Sequence, residues 1–147
     1  MISATANPTS TATSTTTPGK GLHIGLWVAQ VLLALAFLGA GGMKTFTPIE
    51  QLRAQMSWIS GPLGGAVRFI GVVELLGAAG VVLPAATRIM PKLTPLAALG
   101  LGVTMVLGAL THISMGEYPM IVSNLILGGL AAFVAWGRLK KAPISPR

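Results

Sequence analysis

Four apolar runs of roughly 20 residues constrain this chain more than any motif in it, because that is about the length a helix needs to cross the hydrocarbon of a bilayer. They cover approximately 24–43, 65–83, 93–111 and 119–136, and Pro, Gly or charge breaks each from the next. With 52% apolar and 9% charged residues in 147, and a mean hydropathy of +0.76, the chain has too little charge to clothe a soluble fold of its size. The expectation is an all-α, four-helix transmembrane bundle in up-down-up-down order, in contact with the lipid bilayer.

The formal net charge of +7 does not indicate nucleic acid, since the basic residues flank apolar runs and nowhere interleave with stacking aromatics. It reads better as topology, because cytoplasmic loops retain Lys and Arg. In a four-span serpentine Lys20, Arg88, Lys92, Arg138, Lys140, Lys141 and Arg147 share one side, against Lys44, Arg53 and Arg68 on the other. Both termini are therefore expected in the cytoplasm. The chain has no cysteine, which excludes disulfides, iron–sulfur ligation and thiol relays within it.

Residues 1–21 form a Ser/Thr-rich tail with Pro8 and Pro18 that cannot bury a core and is expected to be disordered. A cleavable signal peptide fits poorly, because the first apolar run is long and the tail before it is not strongly basic. The membrane domain is expected over 22–138 and a basic cytoplasmic tail over 139–147. Between the first two spans, Thr47 with Glu50 has the spacing of a capping box, Pro48 suits a first helical position, and Ile49, Leu52, Met56 and Ile59 recur at helical spacing. That predicts a short amphipathic helix at the membrane interface, stopped by Gly61 and Pro62, with Trp58 at the boundary. Pro84 is expected to close the second span and Thr94, followed by Pro95, to cap the third.

Membrane helices meet where small side chains let backbones approach. By that rule Gly71, Glu74, Ala78 and Val81 form the inner face of the second span, Gly100, Thr104, Gly108 and His112 that of the third, and Asn124, Gly128, Ala131 and Ala135 that of the fourth. Glu74 then points at a neighbour from about 9 Å deeper than Arg68, at 1.5 Å per residue. An acid there must face the bundle, protonate or find a cation, and Arg68, Lys44 and His112 are all candidates. Lys44, Arg68, Glu74, His112 and Asn124 point toward one outer-half region, a polar cavity with Glu74 as its floor. No metal is expected: His112, Glu117 and Glu74 would have to serve without Asp or Cys. A histidine pair for haem is excluded, since His23 and His112 fall at opposite membrane faces.

The order of "GAGGMK", "RFIGVVELLGAAGVVLP", "LTPLAALGLGVTMVLGALTH" and "NLILGGLAAFVAWGR" resembles the DoxX-like family of small four-helix membrane proteins over about residues 32–138. The resemblance implies an inner (plasma) membrane protein and a link to sulfur and oxidative-stress chemistry. The family is named for a subunit of a thiosulfate:quinone oxidoreductase, and animal relatives act as assembly factors for ion-channel receptors. Lys44, Arg68, Glu74, His112 and Asn124 are the positions that match the family pattern.

Two expectations follow. The first is a membrane subunit of a quinone-linked oxidoreductase system. Glu74 and His112 are its catalytic candidates, and Lys44, Arg68 and Asn124 bind substrate. The chain supplies no cofactor itself, so a bound quinone or a partner would carry the electrons. The alternative is a non-enzymatic assembly or scaffold protein that engages another membrane protein or a second copy of itself. A proton-coupled exporter is a weaker third, because four spans seldom enclose a path without oligomerising.

Overall fold

The computed structural model describes residues 19–61 and 64–147. Most of the Ser/Thr-rich tail, residues 1–18, and Pro62 of the expected helix stop lie outside the described residues. Helix α1 spans Lys20–Phe46 and α2 Ile49–Gln55; a 3-10 turn, Ser57–Ser60, follows α2. A second 3-10 turn, Gly64–Ala66, leads into α3, Val67–Thr87. Helix α4 is Leu93–Ser114 and α5 Tyr118–Trp136, whose last turn widens into a π-helical segment over Gly137–Lys141. The described residues contain no strand. The four long helices are each long and apolar enough to cross a membrane, and their limits agree with the apolar runs to within a few residues.

The long helices close a ring in which α1 packs on α3 and α5, and α4 packs on the same two. Leu33, Phe37, Val81, Leu101 and Val134 fill its centre. Leu35, Leu76 and Leu125 stand more than 60% exposed on the outside, where only hydrocarbon can receive such side chains without cost. The apolar side of the first loop is buried as expected, with Leu52, Ile59 and Val67 forming a small core and Ile49, Met56 and Trp58 against it. The single helix expected up to Gly61 is instead α2, ending at Gln55, an extended Met56 and a 3-10 turn.

Three boundary expectations are corrected. The residue that caps α2 is Pro48, with no side-chain cap bond, so Thr47 and Glu50 do not form a capping box. Thr47 is instead the extended C-cap of α1. Pro84 lies inside α3, which runs on to Thr87. Its missing N–H leaves the Gly80 carbonyl without a ladder donor, and next to that break the Val81 carbonyl accepts from the Gln30 side chain at 2.5 Å. Lys92, not Thr94, precedes α4. Thr94 is fully buried, and its hydroxyl has no partner among the described residues.

The inner faces of α3 and α5 are those the small residues mark: Gly71, Glu74, Ala78 and Val81 are buried, as are Ala131 and Ala135. In α4 the buried ridge is Thr94, Ala98, Leu101 and Met105, while Gly100 faces outward. There a larger side chain fills the bundle centre and the glycine is turned away.

At the crossing of α1 and α3 the two backbones themselves meet. A Cβ built on Gly71 would lie 2.9 Å from the Gly41 carbonyl oxygen and 2.9 Å from Lys44 Cβ. One on Gly41 would lie 2.8 Å from the Gly71 carbonyl oxygen. Gly116, at φ 72°, makes the tight reversal between α4 and α5 in a conformation other residues rarely adopt. We expect Gly71→Val to prise α1 from α3 and lower stability in mild detergent by about 1–3 kcal/mol. Gly39→Ala, where nothing lies within 4 Å, should unfold with wild type in the same thermal melt.

Candidate functional site

Where α1 crosses α3, the last turn of α1 presents Lys44 and the small-residue face of α3 presents Glu74, one turn beyond Gly71. Lys44 Nζ donates to both carboxylate oxygens of Glu74, at 2.8 Å each. Glu74 is only 2% exposed. A carboxylate at this depth is stable only with a close cation and satisfied oxygens, and a two-oxygen contact from one ammonium provides both. The glycine crossing makes this reach possible, because it draws the two backbones together just below the pair.

Arg68, one and a half turns before Glu74 on α3, does not join the carboxylate. Its Nη1 donates to the carbonyls of Lys44 at 2.7 Å and Thr45 at 2.8 Å. These belong to the last turn of α1, whose carbonyls lack ladder donors and carry the negative end of the helix dipole. Lys44 is thus held twice by α3, through its side chain by Glu74 and through its backbone by Arg68.

His112 and Asn124 stand apart from this cluster. His112 Nδ1 meets Glu117 Oε2 at 2.7 Å, and Glu117 Oε1 accepts a short hydrogen bond from Ser57 of the 3-10 turn. Glu117 therefore ties the first loop to the α4–α5 turn. These hydrogen bonds to Ser57 and then to His112 hold its carboxyl below the usual carboxylate range. Asn124 donates to the Met120 carbonyl of its own helix at 3.3 Å and lies over Gly108. No hydrogen bond or ion pair among the described residues joins these two to Lys44, Arg68 and Glu74. The five expected site residues form three separate groups at one end of the bundle.

A cavity of about 740 Å³ opens beside the first loop, lined by Arg53, Arg68, Ser60 and neighbouring Ile, Val and Gly residues. Arg68 is its link to the ion pair; Lys44 and Glu74 are not in its lining.

At the other end lies a polar cluster that the sequence reading passed over. Gln30 of α1 and Arg138 after α5 are both buried, and Arg138 Nε donates to Gln30 Oε1 at 2.7 Å. Arg138 also stacks over Trp27, 5.4 Å from the ring centroid. Its signal was present: Arg138 continues the inner face of Ala131 and Ala135 at helical spacing, and Gln30 is the one amide within the first apolar run.

The model of the DoxX-like family matches residues 28–134. No curated protein and no solved structure matches the chain at a significant level.

Removing either member of the ion pair strands a buried charge. Lys44→Met and Glu74→Leu are each expected to cost about 3–5 kcal/mol, whereas the double variant should be close to neutral. A double-mutant cycle on detergent melts measures the coupling, and additive losses would mean that the two groups do not meet. For Glu117 the sign follows from its depressed carboxyl. The tie to Ser57 is complete above the ordinary carboxylate range and is lost as pH falls through the lowered value. Protection from hydrogen exchange at residues 57–61, taken relative to the intrinsic rate at each pH, should fall on acidification in wild type and be low at every pH in Glu117→Gln.

Proposed function

The chain belongs to the DoxX-like family and is an integral membrane protein, and from that premise we propose that it acts as a non-catalytic subunit that assembles with another membrane protein. The observation that carries this reading is the closure of its polar groups on one another. Glu74 is buried and bonded through both oxygens to Lys44, Arg68 is engaged at the end of α1, and His112 is engaged with Glu117. A general acid or base must reach the proton it moves, and Glu74 is 2% exposed and lines neither the cavity beside the first loop nor the one beside Arg138. The outside of the bundle, in contrast, offers places for a neighbour. Gly39, Gly100 and Gly129 face outward with nothing within 4 Å of the position a Cβ would take, and such positions admit close backbone approach in lipid.

The basic residues at the end where α1 begins and α5 finishes support a plasma-membrane orientation with that end in the cytoplasm. Sulfur or oxidative-stress chemistry then enters through the partner, since the chain brings no cysteine.

A second reading rests on the cavity beside the first loop. A quinone, if bound, would supply the redox chemistry. Its head group needs donors to its carbonyl oxygens; Arg53 and Arg68 line the cavity and fit that need, with Nη1 of Arg68 already committed to α1. In this reading Glu74 is a positioning residue, which holds Lys44 and so the α1 end on which Arg68 rests.

Photo-crosslinking in native membranes separates the two. A crosslinker at Gly100 or Gly129 should give one discrete protein adduct, and one at lipid-facing Leu35 should give none. Absence of any adduct, together with a quinone that co-purifies with wild type but not with Arg53→Gln, would overturn the assembly reading in favour of the second.

A further inference from the structure

We propose that the end of the bundle where α1 begins and α5 finishes holds a binding site for a phosphate oxyanion, built on Arg138 and Lys92. The argument begins with an unbalanced charge. Arg138 is 3% exposed, and a guanidinium stays protonated in a protein. Its polar neighbours are neutral: the Gln30 amide oxygen, the Ala142 carbonyl at 3.3 Å and the His23 ring at 3.3 Å. No ion-pair partner for Arg138 occurs among the described residues. No acidic side chain is available at this end either, since the three in the sequence are Glu50, Glu74 and Glu117. All three lie on or beside the elements at the far end, two of them already engaged.

The neutral partners fall short as well. His23 Nε2 accepts from Trp27 Nε1–H at 3.2 Å, and a neutral imidazole has one acceptor nitrogen. With Nε2 accepting, Nδ1 carries the ring proton and cannot also accept from Arg138. Arg138 Nη2 has no partner at all among the described residues. The guanidinium thus faces two or three unmet donor positions in a buried setting.

Beside it lies a place for a ligand. A cavity of about 370 Å³ is lined by Arg138 and Lys92 together with Pro91, Pro95, Leu139 and Ile144. The buried Arg138 and the exposed Lys92 both line it among apolar walls, with no carboxylate in the lining. Nη2 of Arg138 is itself enclosed, so a ligand reaches the guanidinium through a turn of its side chain toward the cavity. A phosphate matches the guanidinium fork with two oxygens and the ammonium with a third. Proline-rich walls at both chain segments favour a preformed shape. Phosphate reaches this level of the bundle from two sources: the head group of an anionic phospholipid, whose acyl chains would run down the apolar outer faces, or free phosphate from the aqueous side.

The test is native mass spectrometry of the full chain, released from nanodiscs of mixed phosphatidylglycerol and phosphatidylcholine, with a parallel titration of inorganic phosphate. Wild type should retain one phosphatidylglycerol, or one phosphate, through detergent exchange. Loss of a charged donor is expected to weaken retention by roughly tenfold in Arg138→Gln and by a few-fold in Lys92→Gln. Lys92 is exposed, so its variant tests the site without burdening the fold. Lys140→Gln, an exposed change outside the cavity lining, should retain the ligand as wild type does. Retention of the lipid alone identifies a head-group site, and retention of phosphate that displaces the lipid identifies a soluble oxyanion. Retention of neither by wild type, or equal weakening in Lys140→Gln and Lys92→Gln, overturns the proposal.

Discussion

Everything at the far end of this bundle depends on a charged pair made in a place where an unmade one could not persist. A lone carboxylate inside a membrane span is costly, so Glu74 commits the fold to delivering Lys44 to it. That delivery requires α1 and α3 to touch, and the touch requires Gly41 and Gly71 to face each other with no Cβ between them. Once the helices are that close, Arg68 reaches the final carbonyls of α1. The loop that follows is then anchored at its start, and α2 can fold its apolar side onto Val67. One electrostatic demand thus propagates through backbone sterics to loop structure.

The architecture was legible because its signal is physical at the scale of whole helices. Run length sets membrane spans, and the spacing of small residues sets the inner faces of α3 and α5. On α4 the same rule holds at Gly108, which lies against Asn124, and fails at Gly100, because it assumes the smallest residue marks the contact. At that helix Leu101 fills the centre and Gly100 looks outward. Helix ends were misread for a related reason. Thr47, Pro84 and Thr94 carry strong local preferences, but each sits within a few residues of a tertiary contact that decides the outcome, as the Gln30 amide on the Val81 carbonyl does beside Pro84. The placement of the five candidate residues at one end was legible and their pairing was not. Helical spacing places Lys44, Arg68, Glu74, His112 and Asn124 at one end, but which cation reaches Glu74 depends on a difference of a few ångströms between helices.

The two ends of the molecule solve the same problem differently. Both bury a charged side chain in the bundle. Glu74 is neutralised by Lys44, whereas Arg138 is surrounded by neutral oxygens, a ring nitrogen and an indole face. Neutral acceptors spread a charge without cancelling it, and attraction to a counter-ion grows as the surroundings become less polar. Scarcity of acidic residues, which is what makes the chain so basic, is therefore not uniform in its effects. It leaves the far end balanced and the end around Arg138 in deficit.

This asymmetry also bears on what the family fold can support. At the far end the charged side chains are engaged with one another or with the end of α1, whereas Arg138 at the other end keeps a nitrogen without a partner among the described residues. At the far end the ion pair leaves Arg68 beside a cavity but bound to α1, so any ligand there is read through a residue that also secures a helix end. Occupancy of that cavity would then bear on the seating of α1 against α3. A partner that packs on the outward glycines of α4 and α5 would meet the opposite pair of helices, away from the charged crossing. The two readings of function therefore use different surfaces of one bundle, and neither requires Glu74 to change its protonation.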